Sequence, residues 1–466
     1  MKDKIAIIGF GASGYGTYMG LKEKGFKKIY IYQPKPLEKK IDVNHWSQVN
    51  LKKNYELLKN KLGFNTVNSK TFFGNNLESI ISNNQKVYDN SIGGGLLNFW
   101  GGVLQKFDKE TLKLCLNIEN LDEYYQKISN IIPISQVTHK NSKKNFYANQ
   151  ENIKCDSYVE QLDEVINFES QEILKKDTLI ATSQNINHQI CNCFIGCLKH
   201  NIFKTTNLDK DNSTLFLNEE VKKIDFEKKK VITDNSSESF DKIYLNAGPY
   251  NDQKILISSM TNTKSSIKIK DSTSFTFPIF FTGKMKQNMP DFNLTNYIFS
   301  IRDQNLTLGH AQIYPPIDHI NKSLFHHYFW DKLNFLKDIS INRLLWARCY
   351  LNDEYSQLKI FNEDNPINMN FNSLKIKLAQ KKFFNIFKKN LNNKNFYPID
   401  FFINSKTSSH YSGDSYYIKN EILKQGDCHY KKNIFFNDSM LWKILPSESP
   451  TFTIMANALR NTDLYL

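Results

Sequence analysis

The chain has no run of 18 or more apolar residues, so no membrane-spanning helix is expected. Its start, Met1-Lys2-Asp3-Lys4 and then Ile5-Ala6-Ile7-Ile8-Gly9, is apolar for only a strand's length and lacks a small-residue cleavage site. No secretory signal is read there. Cysteine is scarce and odd in number, seven without framework spacing, which argues against a disulfide scaffold and for a reducing cytoplasm. Acidic residues are also short: 47 Asp+Glu against 61 Lys+Arg leave a net charge of +14. That balance hints at nucleic acid or an anionic surface. However, the excess lies in lysines spread through an Asn-rich chain, so no nucleic-acid partner is expected and peripheral membrane contact stays open. Repeats and low-complexity linkers are absent. Apolar residues are not lacking: 40% hydrophobic and 13% aromatic content exclude a disordered polyelectrolyte. The 466 residues suffice for about three domains, or for two large interleaved ones.

The first 33 residues carry a dense pattern. Lys4–Ile8 reads as a buried parallel strand. Gly9-Phe10-Gly11-Ala12-Ser13-Gly14 follows, then a helix over Tyr15–Lys24 closed by Gly25, then a second strand over Lys28–Tyr32. Strand, G-x-G-x-x-G, helix and strand predict a dinucleotide site. Gly9 allows the tight turn, Gly11 lets backbone approach a pyrophosphate, and Gly14 lets the helix pack on the strand. The helix start supplies N–H groups and a positive dipole to the phosphates. The second strand should end in Asp or Glu to hold the adenosine ribose; it ends in Gln33, with Lys35 beyond. An amide still bonds one hydroxyl, and a neutral or basic residue also tolerates a 2′-phosphate, so NADP stays open from this motif alone.

Two more segments look built to meet a flat ligand. Ser91–Gly102 contains Gly93, Gly94, Gly95, Asn98, Trp100, Gly101 and Gly102. Near the carboxyl end, Asn433–Met440 reads as a strand ending in Asp438-Ser439, and a Pro-started helix follows at Pro450-Thr451.

Together these motifs resemble the glucose–methanol–choline oxidoreductases, with the nearest likeness to bacterial sugar- or polysaccharide-biosynthesis flavoproteins. Matching segments are Gly9–Gly14, Gly94–Trp100, Lys242–Asp252 with its Ala247-Gly248, Asp438-Ser439 and Pro450–Arg460. Val221–Ile224 with Lys230–Thr233 is similar to the ribbon by the FAD adenine. The resemblance is weak over residues 111–180 and 260–400. It implies an α/β fold with a discontinuous Rossmann-like FAD-binding domain and an inserted α+β substrate domain. It also implies FAD as cofactor and a small alcohol or sugar substrate, anionic or lipid-linked in one reading, with an unidentified electron acceptor. The implied cofactor contacts are Gly9, Gly11, Ala12, Ser13, Gly14, Gln33, Gly94, Gly95, Asn98, Trp100, Gly101, Val221, Ala247, Gly248, Asp438, Ser439, Pro450 and Thr451.

His410, in Ser408–Ser415, matches the spacing of the family's His-x-x-Gly-Thr segment and is the expected general base. The family's second group, Asn or His, falls here on Ser449, a shorter orienting hydroxyl, and Asp414 replaces the Thr. These departures leave a degenerate FAD binder as the rival reading. No metal site is expected: Cys191, Cys193 and Cys197 run C-x-C-x₃-C rather than in C-x₂-C pairs, and read as structural. His326-His327 and the basic, Phe-rich stretch Lys381–Asn395 read as ordinary packing and a solvated helix face, with a membrane surface the lesser alternative. Residues 1–45, 85–110, 185–270 and 405–466 are assigned to the FAD-binding domain. Residues 46–84, 111–184 and 271–404 are assigned to the substrate domain, with Arg343–Leu351 and Leu358–Phe361 as strands or a strand pair.

Overall fold

Four consecutive apolar residues without alternation, Ile5–Ile8, are fully buried in the middle of a parallel sheet, as a strand covered on both faces requires. The structure is a computed structural model that describes residues 3–35, 78–82, 85–89, 91, 93–99, 102–132, 134–138, 153–154, 157–181, 213–260, 266–283, 295–304, 306–316, 343–361, 373–391, 395–404, 408, 410–413, 429–430 and 433–465. The cysteine run at 191–197, His326-His327, Trp100 and Gly101 lie outside these residues.

Ile5–Ile8 pairs in parallel with Ile29–Tyr32 on one side and Lys242–Leu245 on the other. Thr214–Leu217 extends the sheet beyond the first, and Ile434–Phe436 beyond the second. One sheet is thus assembled from distant parts of the chain.

On one face lies the helix Ala12–Glu23, crossed by the final helix Thr451–Leu464. The crossing is tight because Gly16 faces the Met455 carbonyl, which a Cβ there would approach to 2.3 Å. Leu112, Cys115, Tyr125 and Ile128, from Lys109–Leu116 and Asp122–Ile131, join the same core. These residues, expected in the inserted domain, share one core with the dinucleotide-type sheet and reach it through the final helix, where Tyr125 meets Phe452 at 4.7 Å. The other face is covered by the ribbon Val221–Asp225 with Lys230–Thr233 and by the helix Pro249–Ser259.

A second, antiparallel seven-stranded sheet includes Ser274–Phe281, Tyr297–Asp303, Leu306–Tyr314 and Leu344–Leu351. One face is apolar. There Phe275, Phe277 and Phe299 meet Phe383, Phe384 and Phe387 of the helix Ser373–Lys389, with Phe299 and Phe387 stacked at 5.1 Å. The phenylalanines of the basic stretch are thereby spent on the sheet, as a solvated helix face implies. The two expected strands of this region both form, but in different sheets: Gln357–Phe361 pairs with Ile267–Asp271, which also pairs with Tyr411–Gly413. The fold is the α/β class expected, with a parallel sheet and a large antiparallel one. Among the described residues no helix is long and apolar enough to cross a membrane.

Candidate active site

Strand geometry explains why the other face of the antiparallel sheet is polar. Side chains alternate along a strand, so Ala347, Cys349 and Leu351 face the helix while Arg348 and Tyr350 face away. On the neighbouring strand Ala311 and Ile313 face the core, and His310, Gln312 and Tyr314 face away. The register sets His310 opposite Tyr350 and Gln312 opposite Arg348. Gln312, Tyr314, Arg348 and Tyr350 line one end of a cavity of about 680 Å³; the glycine loop lines its other end.

At the glycine end, Gly9 (φ +87°) turns the chain from strand to helix, and Gly14 lies against its carbonyl, 2.2 Å from where a Cβ would stand. Gly14 is therefore a packing residue, while Gly9, Gly11, Ala12 and Ser13 line the cavity. The first helix has Gly11 at its cap, no side chain bonded to its free N–H groups and no acid in its first turn. The final helix starts at the same cavity, with Ser449, Pro450 and Thr451 in the wall and again no capping side chain. Two uncapped helix starts thus converge on one space, a setting that favours phosphate.

Gln33 lies in the same wall but its amide is occupied. The carbonyl oxygen accepts from Phe10 N–H (3.1 Å) and the NH₂ donates to the Ser91 carbonyl. Gly94 N–H donates to the Phe10 carbonyl at 2.8 Å, so the two glycine-rich loops are tied together here. Gly95 lines the cavity; Gly94 lies behind it, and Asn98 is described in its backbone alone. Val221, Ala247, Gly248, Asp438 and Ser439 complete the expected set in the wall.

Asp438 accepts a hydrogen bond from Met440 N–H (2.7 Å) and abuts Asp252, whose carboxylate accepts from Ala247 N–H (3.0 Å). Burial and mutual repulsion push the Asp252 carboxyl well above the usual carboxylate range, and burial raises Asp438 as well. Both shifts favour the protonated form of the pair.

At the other end His410 stacks on Tyr350 (centroids 4.5 Å apart, 12°), and Tyr350 stacks on His310 (4.9 Å, 6°). Gln312 bridges His310 Nε2 (3.2 Å) and the Tyr314 hydroxyl, which donates to its carbonyl oxygen at 3.0 Å. Burial first, then the Arg348 charge, pushes the His410 imidazole down to about 3; burial holds His310 well below its ordinary value. Both rings are neutral near neutral pH, and His410 Nδ1 has no hydrogen-bond partner among the described residues.

The backbone of His410 is anchored from below. Lys359 Nζ pairs with Asp271 at 2.5 Å, both fully enclosed; the other Asp271 oxygen accepts from Ser408 Oγ (2.6 Å) and N–H (3.0 Å); and His410 N–H donates to Ser408 Oγ (3.0 Å). Ser449 stands in the wall with its N–H on Gln105 (2.6 Å) and its hydroxyl donated to the Val103 carbonyl (3.2 Å). That leaves its oxygen free only to accept.

Sequence reasoning missed Gln312, Tyr314, Arg348 and Tyr350. The signal is the alternation His310-x-Gln312-x-Tyr314 and Arg348-x-Tyr350, with small or aliphatic residues at the intervening positions. Among the described residues no cluster of His, Cys, Asp and Glu could hold a metal.

The solved structure of pyridoxine 4-oxidase from Mesorbium loti is similar to this chain over 100% of its length and 99% of the other's, with a TM-score of 0.64 and 10% sequence identity. The two chains share a fold. No protein-family model and no curated protein matches the sequence.

Proposed function

We propose that the chain is an FAD-dependent oxidoreductase that oxidises the hydroxyl of a sugar or related polar alcohol. The observation that carries this reading is one cavity shared by two uncapped helix starts and by a neutral histidine stacked on a tyrosine. Its volume falls within the usual range for cofactor and small-molecule sites. FAD fits the donor set: at Gly11 an added Cβ would meet its nearest neighbour at 3.9 Å, so the backbone there is open to a close-lying phosphate. Ala12, Ser13 and the start of the final helix would hold the pyrophosphate side, Val221 the adenosine side, and Asp438-Ser439 with Ala247-Gly248 the remainder. Bound FAD supplies a hydride acceptor for the carbinol carbon.

His410 takes the hydroxyl proton on a ring nitrogen as the hydride leaves; the ring is neutral and free to accept, while burial and the Arg348 charge make it a weaker base than an exposed histidine. The Lys359–Asp271–Ser408 chain fixes where that ring stands. Ser449, its own proton committed to Val103, accepts a hydrogen bond from a substrate hydroxyl. The fold shared with pyridoxine 4-oxidase, an enzyme whose name denotes oxidation, supports this class of reaction. A protein that binds FAD but does little redox chemistry is the second reading, favoured by Gln33, whose amide is tied between two loops instead of a carboxylate facing the ribose. Anaerobic bleaching of the flavin by a panel of sugars and primary alcohols separates the two: bleaching supports the oxidoreductase, and a flavin that stays oxidised throughout supports the binder.

A further inference from the structure

Arg348 carries a positive charge in the cavity wall with 92% of its surface covered, since only 8% remains accessible. Its Nε donates to the Tyr350 hydroxyl at 2.6 Å, and its guanidinium carbon stands 5.3 Å from the centre of that ring. Among the described residues its two terminal nitrogens have no acceptor, and no carboxylate pairs with it. The buried carboxylate of this region, Asp271, is already engaged by Lys359 and Ser408. Removing a cation from water is costly unless a partner compensates it, and here the protein supplies one hydroxyl. Nothing among the described residues neutralises it.

We propose that Arg348 receives a carboxylate carried by the alcohol substrate, an assignment of substrate class that rests on the oxidoreductase reading above. The two terminal N–H groups form a planar fork that matches a carboxylate in a bidentate pair. The side chains around it on the sheet, Gln312, Tyr314, Tyr350 and His310, bring no charge at neutral pH, so one positive charge awaits one negative charge. This matches a carboxylate rather than a dianionic phosphate. Arg348 and His410 both lie against the Tyr350 ring, so a small hydroxy acid held at Arg348 presents its carbinol end to the neighbourhood of His410.

The test uses the FAD-loaded protein and three probes of similar shape, benzoate, phenyl phosphate and benzyl alcohol, titrated by calorimetry. The expected result is saturable binding of benzoate, tighter than phenyl phosphate and benzyl alcohol. Arg348→Met should weaken benzoate at least tenfold, and Arg348→Lys should weaken it less, with FAD content and thermal midpoint as in the parent. Should Arg348→Met not fold, Arg348→Gln serves the same comparison. Equal benzoate affinity in parent and variant, no benzoate binding, or tighter binding of phenyl phosphate would overturn the assignment. A chain that binds benzoate through Arg348 yet takes up no FAD would defeat the oxidoreductase reading and leave the carboxylate site standing. One that takes up FAD and is bleached by neutral alcohols, but ignores benzoate, would defeat the carboxylate site alone.

Discussion

The two ends of the cavity are built by different means. The glycine end is backbone: a turn at positive φ, two helix starts and loops stitched by Gln33. The chamber around His410 is side chain: its ring stacks on Tyr350, which with His310, Arg348 and Gln312 stands on a sheet whose reverse face is packed with phenylalanine. Backbone recognition suits a ligand part common to many proteins. Side-chain recognition suits a part peculiar to this one. A substitution at the first end should therefore act on cofactor retention, and one at the second on turnover.

The largest expected effect lies in the chamber. His410→Gln should keep the flavin and slow its reduction by a responsive alcohol by about 10²–10⁴-fold, read by anaerobic stopped flow. An unchanged rate would remove His410 from the reaction. Next comes the anchor beneath it. Lys359→Met leaves Asp271 as an unpaired buried carboxylate and should cost about 3–5 kcal/mol in a denaturant melt; the double replacement Lys359→Met with Asp271→Leu should recover much of that loss. A single variant with parental stability would show that the pair does not anchor the chamber.

At the glycine end, Gln33→Glu restores the residue type usual in dinucleotide folds, yet it should weaken FAD retention. A carboxylate cannot donate to the Ser91 carbonyl, so the stitch between the loops breaks at a cost of about 1–3 kcal/mol. Tighter FAD binding in Gln33→Glu, measured by flavin release, would show that the amide is a weakened ribose ligand and not a stitch.

The smallest effect is one of pH. His410 binds its proton less readily folded than unfolded, so between about 3 and 6.5 the unfolded chain carries more protons. Stability therefore rises with pH through that window and the contribution is complete above it. Replacing His410 by Gln should flatten the slope between pH 5 and 6.5 by at most about 1.4 kcal/mol per pH unit. An identical slope would mean that the ring is solvated in the folded protein.

The same contrast explains what was legible in the sequence. Gly9–Gly14 and Pro450-Thr451 could be read because backbone requirements demand particular residue types at fixed local spacing. The discontinuous sheet followed once those motifs had to meet. His410, which lines the cavity, stands out in the sequence through a spacing to Gly413 that resembles a family segment. Arg348, Tyr350 and Gln312 escaped because a cavity-facing row is defined by pairing between strands distant in sequence, and each strand alone looks like an ordinary alternating one. Gln33 was placed in the right wall, but its bond to Ser91, 58 positions away, could not be read locally. The helices over 109–131 are amphipathic, and such helices do not announce in sequence which core they join.

In the proposed function one cavity holds FAD along its glycine end and an alcohol beside His410. The most direct test is the visible spectrum of the purified protein, reconstituted with FAD and then exposed anaerobically to alcohols. Stoichiometric flavin that is bleached by at least one alcohol is expected. A colourless chain that takes up no FAD would contradict it.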